Sequence, residues 1–160
     1  MIKFEKLPAD IMLRLDGIKK VLIEDENVIF AYLFGGLAKG DIHPLTDIDL
    51  AVYLKHTNEL AAYKLQLFNK ITDVIGTSEM DLIILNTSPI SLTGRILQSR
   101  EVLVDKEPFS RHAFESLNLR EFFDFKIKED SLLLRRYGLV DKSEQQDSRG
   151  RGFKDSSDTK

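Results

Sequence analysis

Seven apolar residues in a row, Val28 to Phe34, run straight into the glycine pair Gly35-Gly36. A run this short, rich in β-branched and aromatic side chains, suits a strand covered on both faces better than a helix. A strand buried on two sides requires a layer of structure above it and another below.

The flanking segments offer those layers. From about Pro8 to Ile23, the residues Ile11, Leu15, Ile18 and Leu22 recur at spacings of four, three and four, which is one helical stripe. Gly17 inside it costs roughly 1 kcal/mol against alanine, so it marks either a weak point or a close approach. Thr57 to Ile75 reads as a long helix with Thr57 as N-cap and Gly76 past its end, its apolar side marked by Leu60, Leu67, Ile71 and Val74. Ser88-Pro89 reads as a cap and first turn opening a short helix to about Ser99. Residues 108–136 are helical in composition, but their phenylalanine-rich pattern is too irregular for one straight stripe, so a bend or break is expected.

Three more strands are expected: Thr46 to Leu54, Met80 to Asn86, and Glu101 to Asp105. The first alternates cleanly, with Asp47, Asp49, Ala51 and Tyr53 on one face and Ile48, Leu50, Val52 and Leu54 on the other. Gly35 to Gly40 should turn into a short helix closed by His43-Pro44 and Leu45, too short a link for a conventional parallel crossover. The expectation is an α/β (α+β) domain over residues 1–140, with helices covering one small mixed sheet. Residues 141–160, almost without apolar side chains, read as a disordered tail.

At 160 residues, 42% hydrophobic and 31% charged, the chain suits one soluble domain. A net charge of −3 argues against a broad nucleic-acid surface. The lack of cysteine excludes disulfides and thiolate metal sites. The N-terminal MIKFEKLPAD has no signal-like apolar core, and no apolar run approaches a membrane span, so a cytoplasmic protein is expected.

Asp47 and Asp49 project from one face, so both can reach an ion between them, although a solvent-facing pair on an open sheet would look the same. Asp81 opens the next strand; if the two strands are neighbours, three carboxylates converge at one end of the sheet. Two metal ions about 3.5–4 Å apart held there would activate an attacking oxygen and stabilise leaving pyrophosphate. Gly35 and Gly36 let backbone N–H groups approach an anion closely, and Lys39 adds a charge. Arg95, on the helix after the third strand, can reach a nucleotide or simply sit in solvent. The three histidines are scattered without metal-ligand spacing.

Gly35-Gly36, ten intervening residues, then Asp47-Ile48-Asp49 resembles the G-S-x10-D-x-D signature of the DNA polymerase β-like nucleotidyltransferase superfamily. GGLAKGD stands where minimal nucleotidyltransferases of the MntA type show GSxARGE, and TDIDLAVYL resembles their SDIDLxV strand. MDLIILNTSPISLTGRILQSREVLV is similar to their third-carboxylate strand and following helix. The resemblance spans about Val28 to Val104 and implies magnesium-dependent transfer of a nucleoside monophosphate, usually from ATP.

By position, it implies that Asp47, Asp49 and Asp81 are the catalytic and metal-binding residues, and that Gly35, Gly36 and Lys39 bind the nucleotide. Asp81 would also help deprotonate the acceptor. It further implies an antitoxin that adenylylates a tyrosine of a HEPN-domain toxin. A binding-only antitoxin and a small-molecule nucleotidyltransferase stay open, as does the oligomeric state. Gly36 departs from the motif's serine. One lost hydrogen bond to a charged group is worth about 1.5–3 kcal/mol, so weaker nucleotide binding is expected rather than lost chemistry.

Overall fold

The computed structural model describes residues 11–40 and 47–138. The expected helix start at Pro8, the close of the glycine turn at His43-Pro44 and Leu45, the strand start at Thr46, and the tail from 141 all lie outside them. The elements run α1 (Ile11–Glu24), β1 (Val28–Phe34), α2 (Gly35–Ala38), β2 (Ile48–Leu54), α3 (Leu60–Ile75), β3 (Met80–Ile84), α4 (Ile90–Ser99), β4 (Glu101–Asp105) and α5 (Pro108–Arg136). Residues 1–123 form one compact unit and residues 124–160 a second. The second is described only for residues 124–138, which hold the last turns of α5.

The four strands form one sheet in the order β3-β2-β1-β4. β1 is antiparallel to both β2 and β4, whereas β2 and β3 are parallel. The sheet is therefore mixed, as the short glycine link demands. β1 is the strand buried on both faces. Ala31 and Leu33 join Ile48, Leu50 and Val52 in a core with Leu15, Ile18 and Leu22 of α1 and Leu67, Ile71 and Ile75 of α3. Phe30 and Tyr32 face the other way, into a second core with Ala51, Leu85, Ile96 and Leu97. There Phe30 stacks on Tyr53 at 4.8 Å between ring centroids, and Phe114 of α5 packs against both.

Two glycines mark where helices touch their neighbours most closely. A Cβ at Gly17 would stand 2.6 Å from Val74 Cγ1 of α3, so this residue is a close approach rather than a weak point. A Cβ at Gly94 would stand 2.1 Å from the Phe122 ring, which lets α4 lie flat on buried Phe122.

Several boundaries differ from the sequence reading. Thr57 is not the cap of α3, which begins at Leu60 after Glu59 in a left-handed conformation, φ 50°. The side chain of Asn27 grips the backbone of His56, donating to its carbonyl at 2.9 Å and accepting from its N–H at 2.7 Å. The chain therefore needs residues 57–59 to turn into the helix. On α3 the buried side is carried by Ile75, while Val74 is more than a third exposed. Pro89, not Ser88, occupies the N-cap of α4, and its carbonyl accepts from the N–H groups of Leu92 and Thr93. The Ser88 hydroxyl is engaged with the Leu85 carbonyl and the Thr93 hydroxyl instead. β3 stops at Ile84, but Asn86 prolongs its pairing by side chain: Leu54 N–H donates to Asn86 Oδ1 at 2.9 Å, and Asn86 Nδ2 donates to Leu54 O at 2.8 Å. α5 is one helix of 29 residues despite its irregular pattern.

Candidate active site

The sheet register fixes the site. Asp49 of β2 lies opposite Phe34 of β1 on one side and opposite Asp81 of β3 on the other. Because Asp49 and Asp81 are paired in a parallel ladder, their side chains leave the same face. Asp47 is one pleat earlier on that face, immediately before β2. Asp47 and Asp49 are half-buried and Asp81 is exposed.

Gly35 follows Phe34 and so lands beside Asp49. It has φ +72°, and a Cβ built on it would stand 2.3 Å from Asp49 Oδ2. Two independent constraints thus require glycine there: the left-handed backbone, and the carboxylate packed against it. Gly36 has neither a positive φ nor any other departure from helical backbone. Lys39 is the C-cap of α2 and is exposed, its N–H donating to the Gly35 and Gly36 carbonyls at 3.4 and 3.2 Å.

A cavity of about 450 Å³ opens beside this turn, lined by Phe34, Gly35 and Lys39 together with Leu92, Arg95, Ile96, Gln98 and Ser99. Lys39 and Arg95 make it cationic, and Gln98 and Ser99 supply neutral donors. Sequence reading weighed Arg95 but missed Gln98 and Ser99. Their i, i+3 and i+4 spacing from Arg95 places all three on one face of α4 and was the available signal.

Among the described residues, no three His, Asp or Glu side chains form a ready metal cluster. The carboxylates nonetheless suit a hard cation. Magnesium takes one or two protein carboxylates and completes its shell with phosphate and water. Asp49 and Asp81, adjacent in register on one face, meet that requirement, and Asp47 stands next in line.

Behind the site, buried Glu115 of α5 ties three elements together. Tyr32 Oη donates to Glu115 Oε1 at 2.8 Å, as do Arg100 Nε at 2.9 Å and Arg111 Nη1 at 2.8 Å. Arg111 Nε also reaches Asp105 Oδ2 at 2.9 Å. Burial alone would raise the Glu115 pKa, but the hydrogen bonds from Arg100, Arg111 and Tyr32 together hold it below the usual carboxylate range. Burial, then the bond to Glu115, push the Tyr32 hydroxyl far above the usual phenol range.

A glycine turn packed on a strand carboxylate, with a second carboxylate in register and a cationic cleft alongside, is the architecture of a nucleotidyl-transferring domain. Residues 16–109 match the polymerase beta nucleotidyltransferase family, and the chain belongs to that family. No curated protein matches the chain. Among solved structures, a chain of a toxin-antitoxin complex with AMP-PNP is 21% identical with a TM-score of 0.64, the match covering 74% of this chain and 94% of that one. A chain of a tri-AMPylated Shewanella oneidensis HEPN toxin in complex with MNT antitoxin is 20% identical with a TM-score of 0.61, covering 76% and 94%. A chain of the toxin-antitoxin MntA-HepT has 20% identity, a TM-score of 0.60, and coverage of 76% and 95%. These likenesses establish the shared fold. Among the described residues no helix is long and apolar enough to cross a membrane.

Proposed function

We propose that the chain transfers AMP from ATP to a hydroxyl of a partner protein in a magnesium-dependent reaction, and that it serves as the antitoxin to a HEPN toxin. The observation that carries the reading is the placement of Gly35 against Asp49, with Asp81 in register beside it. Asp47, Asp49 and Asp81 would hold the metal, and bound magnesium supplies the positive charge that neutralises the triphosphate. Gly35, lacking a Cβ, leaves room for the Asp49 carboxylate, and the backbone N–H groups of the glycine turn with the Lys39 ammonium would cradle the phosphates.

The acceptor oxygen attacks the α-phosphorus and forms a new P–O bond. The α–β bridging P–O bond breaks, and pyrophosphate leaves with its electron pair. A carboxylate oxygen of Asp81, the most exposed of the three, receives the acceptor's proton. The likeness to chains of toxin-antitoxin complexes, including one whose toxin is AMPylated, supports a protein acceptor.

Co-expression with the partner toxin, followed by intact mass measurement, tests the proposal. The toxin should gain AMP with the wild-type chain and none with Asp49→Asn/Asp81→Asn. The missing serine at position 36 favours a second reading, an antitoxin that acts by binding alone. If Asp47→Asn/Asp49→Asn still protects cells from the toxin, binding carries the function.

A further inference from the structure

The buried side chains of α5 are Glu115 and Phe122, whereas every residue from 123 to 138 is exposed. Phe123, Ile127, Leu134 and Tyr137 each leave about half to two thirds of their surface in water. Tyr137 lies just past the helix end but keeps its turn, its N–H donating to the Leu133 carbonyl at 3.0 Å. These four follow one another at spacings of four, seven and three, the pattern of successive a and d positions of one heptad seam, with Asp130 at the position between Ile127 and Leu134. Carried back along the helix, the same seam holds Arg120, Ser116 and Ala113, all exposed. Among the described residues, neither Arg120 nor Asp130 makes an ion pair within its own chain. A helix owes most of its stability to the packing of its apolar face, so a stripe of this kind calls for something to cover it.

We propose that the stripe is covered by the same stripe of a second copy, the two α5 helices running antiparallel about a two-fold axis level with Phe125. An antiparallel seam sets each a position of one helix opposite a d position of the other, and this sequence is complementary to itself in that register. Phe123 of one copy meets Ile127 of the other, and Arg120 meets Asp130. Further out, large meets small: Leu134 lies over Ser116, and Tyr137 over Ala113. The symmetry repeats every pair, as an isologous interface requires. The two charges choose the arrangement. A parallel pair would set Arg120 against Arg120 and Asp130 against Asp130. Sliding the antiparallel pair by one heptad in either direction would leave both charges opposite apolar residues. Beside the axis, Asp124 and Lys126 face their own copies from the flanks of the seam, where water screens them and the repulsion is small.

Sedimentation equilibrium on the full chain tests the pairing without reference to AMP transfer, and the wild type should show a monomer–dimer equilibrium. Arg120→Asp and Asp130→Arg each set like charges against one another in both copies and should weaken dimerisation at least about tenfold. The double variant Arg120→Asp/Asp130→Arg restores both pairs in the antiparallel register alone and should recover the wild-type association. Ile127→Glu should leave the chain monomeric. All three positions are exposed, so circular dichroism should match the wild type throughout. A wild-type chain that stays monomeric, or a dimer indifferent to Ile127→Glu, overturns the proposal. So does a double variant as weak as the single ones, because the register is then wrong. A chain that is monomeric alone and shields Ile127 only when the toxin is co-expressed assigns the stripe to a different protein and overturns it as well.

Discussion

Gly35 and Asp49 are in such close register that a single methyl group at position 35 would fall 2.3 Å from Asp49 Oδ2. The glycine turn and the strand carboxylate are therefore one unit, joined across the β1–β2 ladder rather than along the chain. Gly35→Ala must either leave its left-handed backbone or displace the carboxylate.

The strain of an alanine in left-handed backbone costs about 1–2 kcal/mol. We expect Gly35→Ala to lower Tm by several degrees and to abolish AMP transfer, because Asp49 is driven from its place. Gly36→Ser, on ordinary helical backbone, should leave Tm unchanged and tighten ATP binding about tenfold by restoring a hydroxyl to the phosphates. Thermal melts and calorimetric titration with Mg-ATP check both; a Gly36→Ser chain that binds ATP no better shows that the hydroxyl has no phosphate to meet.

A second close approach is independent of the chemistry. Gly94→Ala places a methyl group against the Phe122 ring, and overpacking of this kind costs about 1–3 kcal/mol. In the double variant Gly94→Ala/Phe122→Leu the smaller side chain makes room, so the two losses should fall short of additive. Denaturant melts of the four chains give the coupling directly.

These two glycines show where sequence reading succeeds and where it stops. The run Val28–Phe34 and the alternation of Ile48–Leu54 gave both strands and the faces of β2, because burial imposes its period on the chain directly. The mixed sheet followed from a link too short for a crossover. Gly94 carries no signal in the sequence, since nothing nearby along the chain announces the ring of Phe122. Glu115 was only partly legible: Arg111 stands four residues before it on α5, but Tyr32 of β1 and Arg100 at the end of α4 reach it only in the folded chain. The start of α3 was misplaced for the same reason, Asn27 holding His56 from 29 residues away.

Glu115 makes stability depend on pH in a definite direction. Its folded pKa is depressed, so its contribution is fully present above the ordinary carboxylate pKa. That contribution is lost as pH falls through the folded value. Tyr32 acts with the opposite sign: its raised pKa gives a contribution present below the ordinary phenol pKa and lost only as pH rises well beyond it. Glu115→Gln should therefore flatten the acid limb of a Tm–pH profile. It should also cost about 3 kcal/mol of stability at neutral pH, seen as a lower Tm plateau, because Arg100 loses its carboxylate and Arg111 keeps only Asp105. An acid limb as steep as the wild type's would assign the pH dependence to other carboxylates.

Two asparagines perform the same task in different surroundings. Asn86 satisfies both backbone groups of Leu54 at a part-buried position, and Asn27 does so for His56 at an exposed one. Removing a partner from buried backbone groups costs about 1–3 kcal/mol, whereas water replaces the partner at the surface. Asn86→Ala should thus destabilise the fold by that amount and Asn27→Ala by much less. Hydrogen exchange at the Leu54 and His56 amides reads each loss locally.

The cationic cleft makes the most direct prediction about the nucleotide. Lys39 and Arg95 come from α2 and α4 and line one cavity beside Gly35, and both are exposed. Arg95 is steadied by its Nε donating to the Ser91 carbonyl at 3.3 Å. If the cleft holds the triphosphate, Lys39→Ala and Arg95→Ala should each weaken Mg-ATP binding about tenfold at low salt, the worth of one charge-assisted contact. Because both charges are solvent-facing, the penalty should shrink as ionic strength rises and the Debye length falls to about 8 Å near 0.15 M. Adenosine, which has no phosphate, should bind the variants as it binds the wild type. Titrations with ATP and adenosine at two salt concentrations separate these outcomes, and equal losses for both ligands would place the base, not the phosphates, between Lys39 and Arg95.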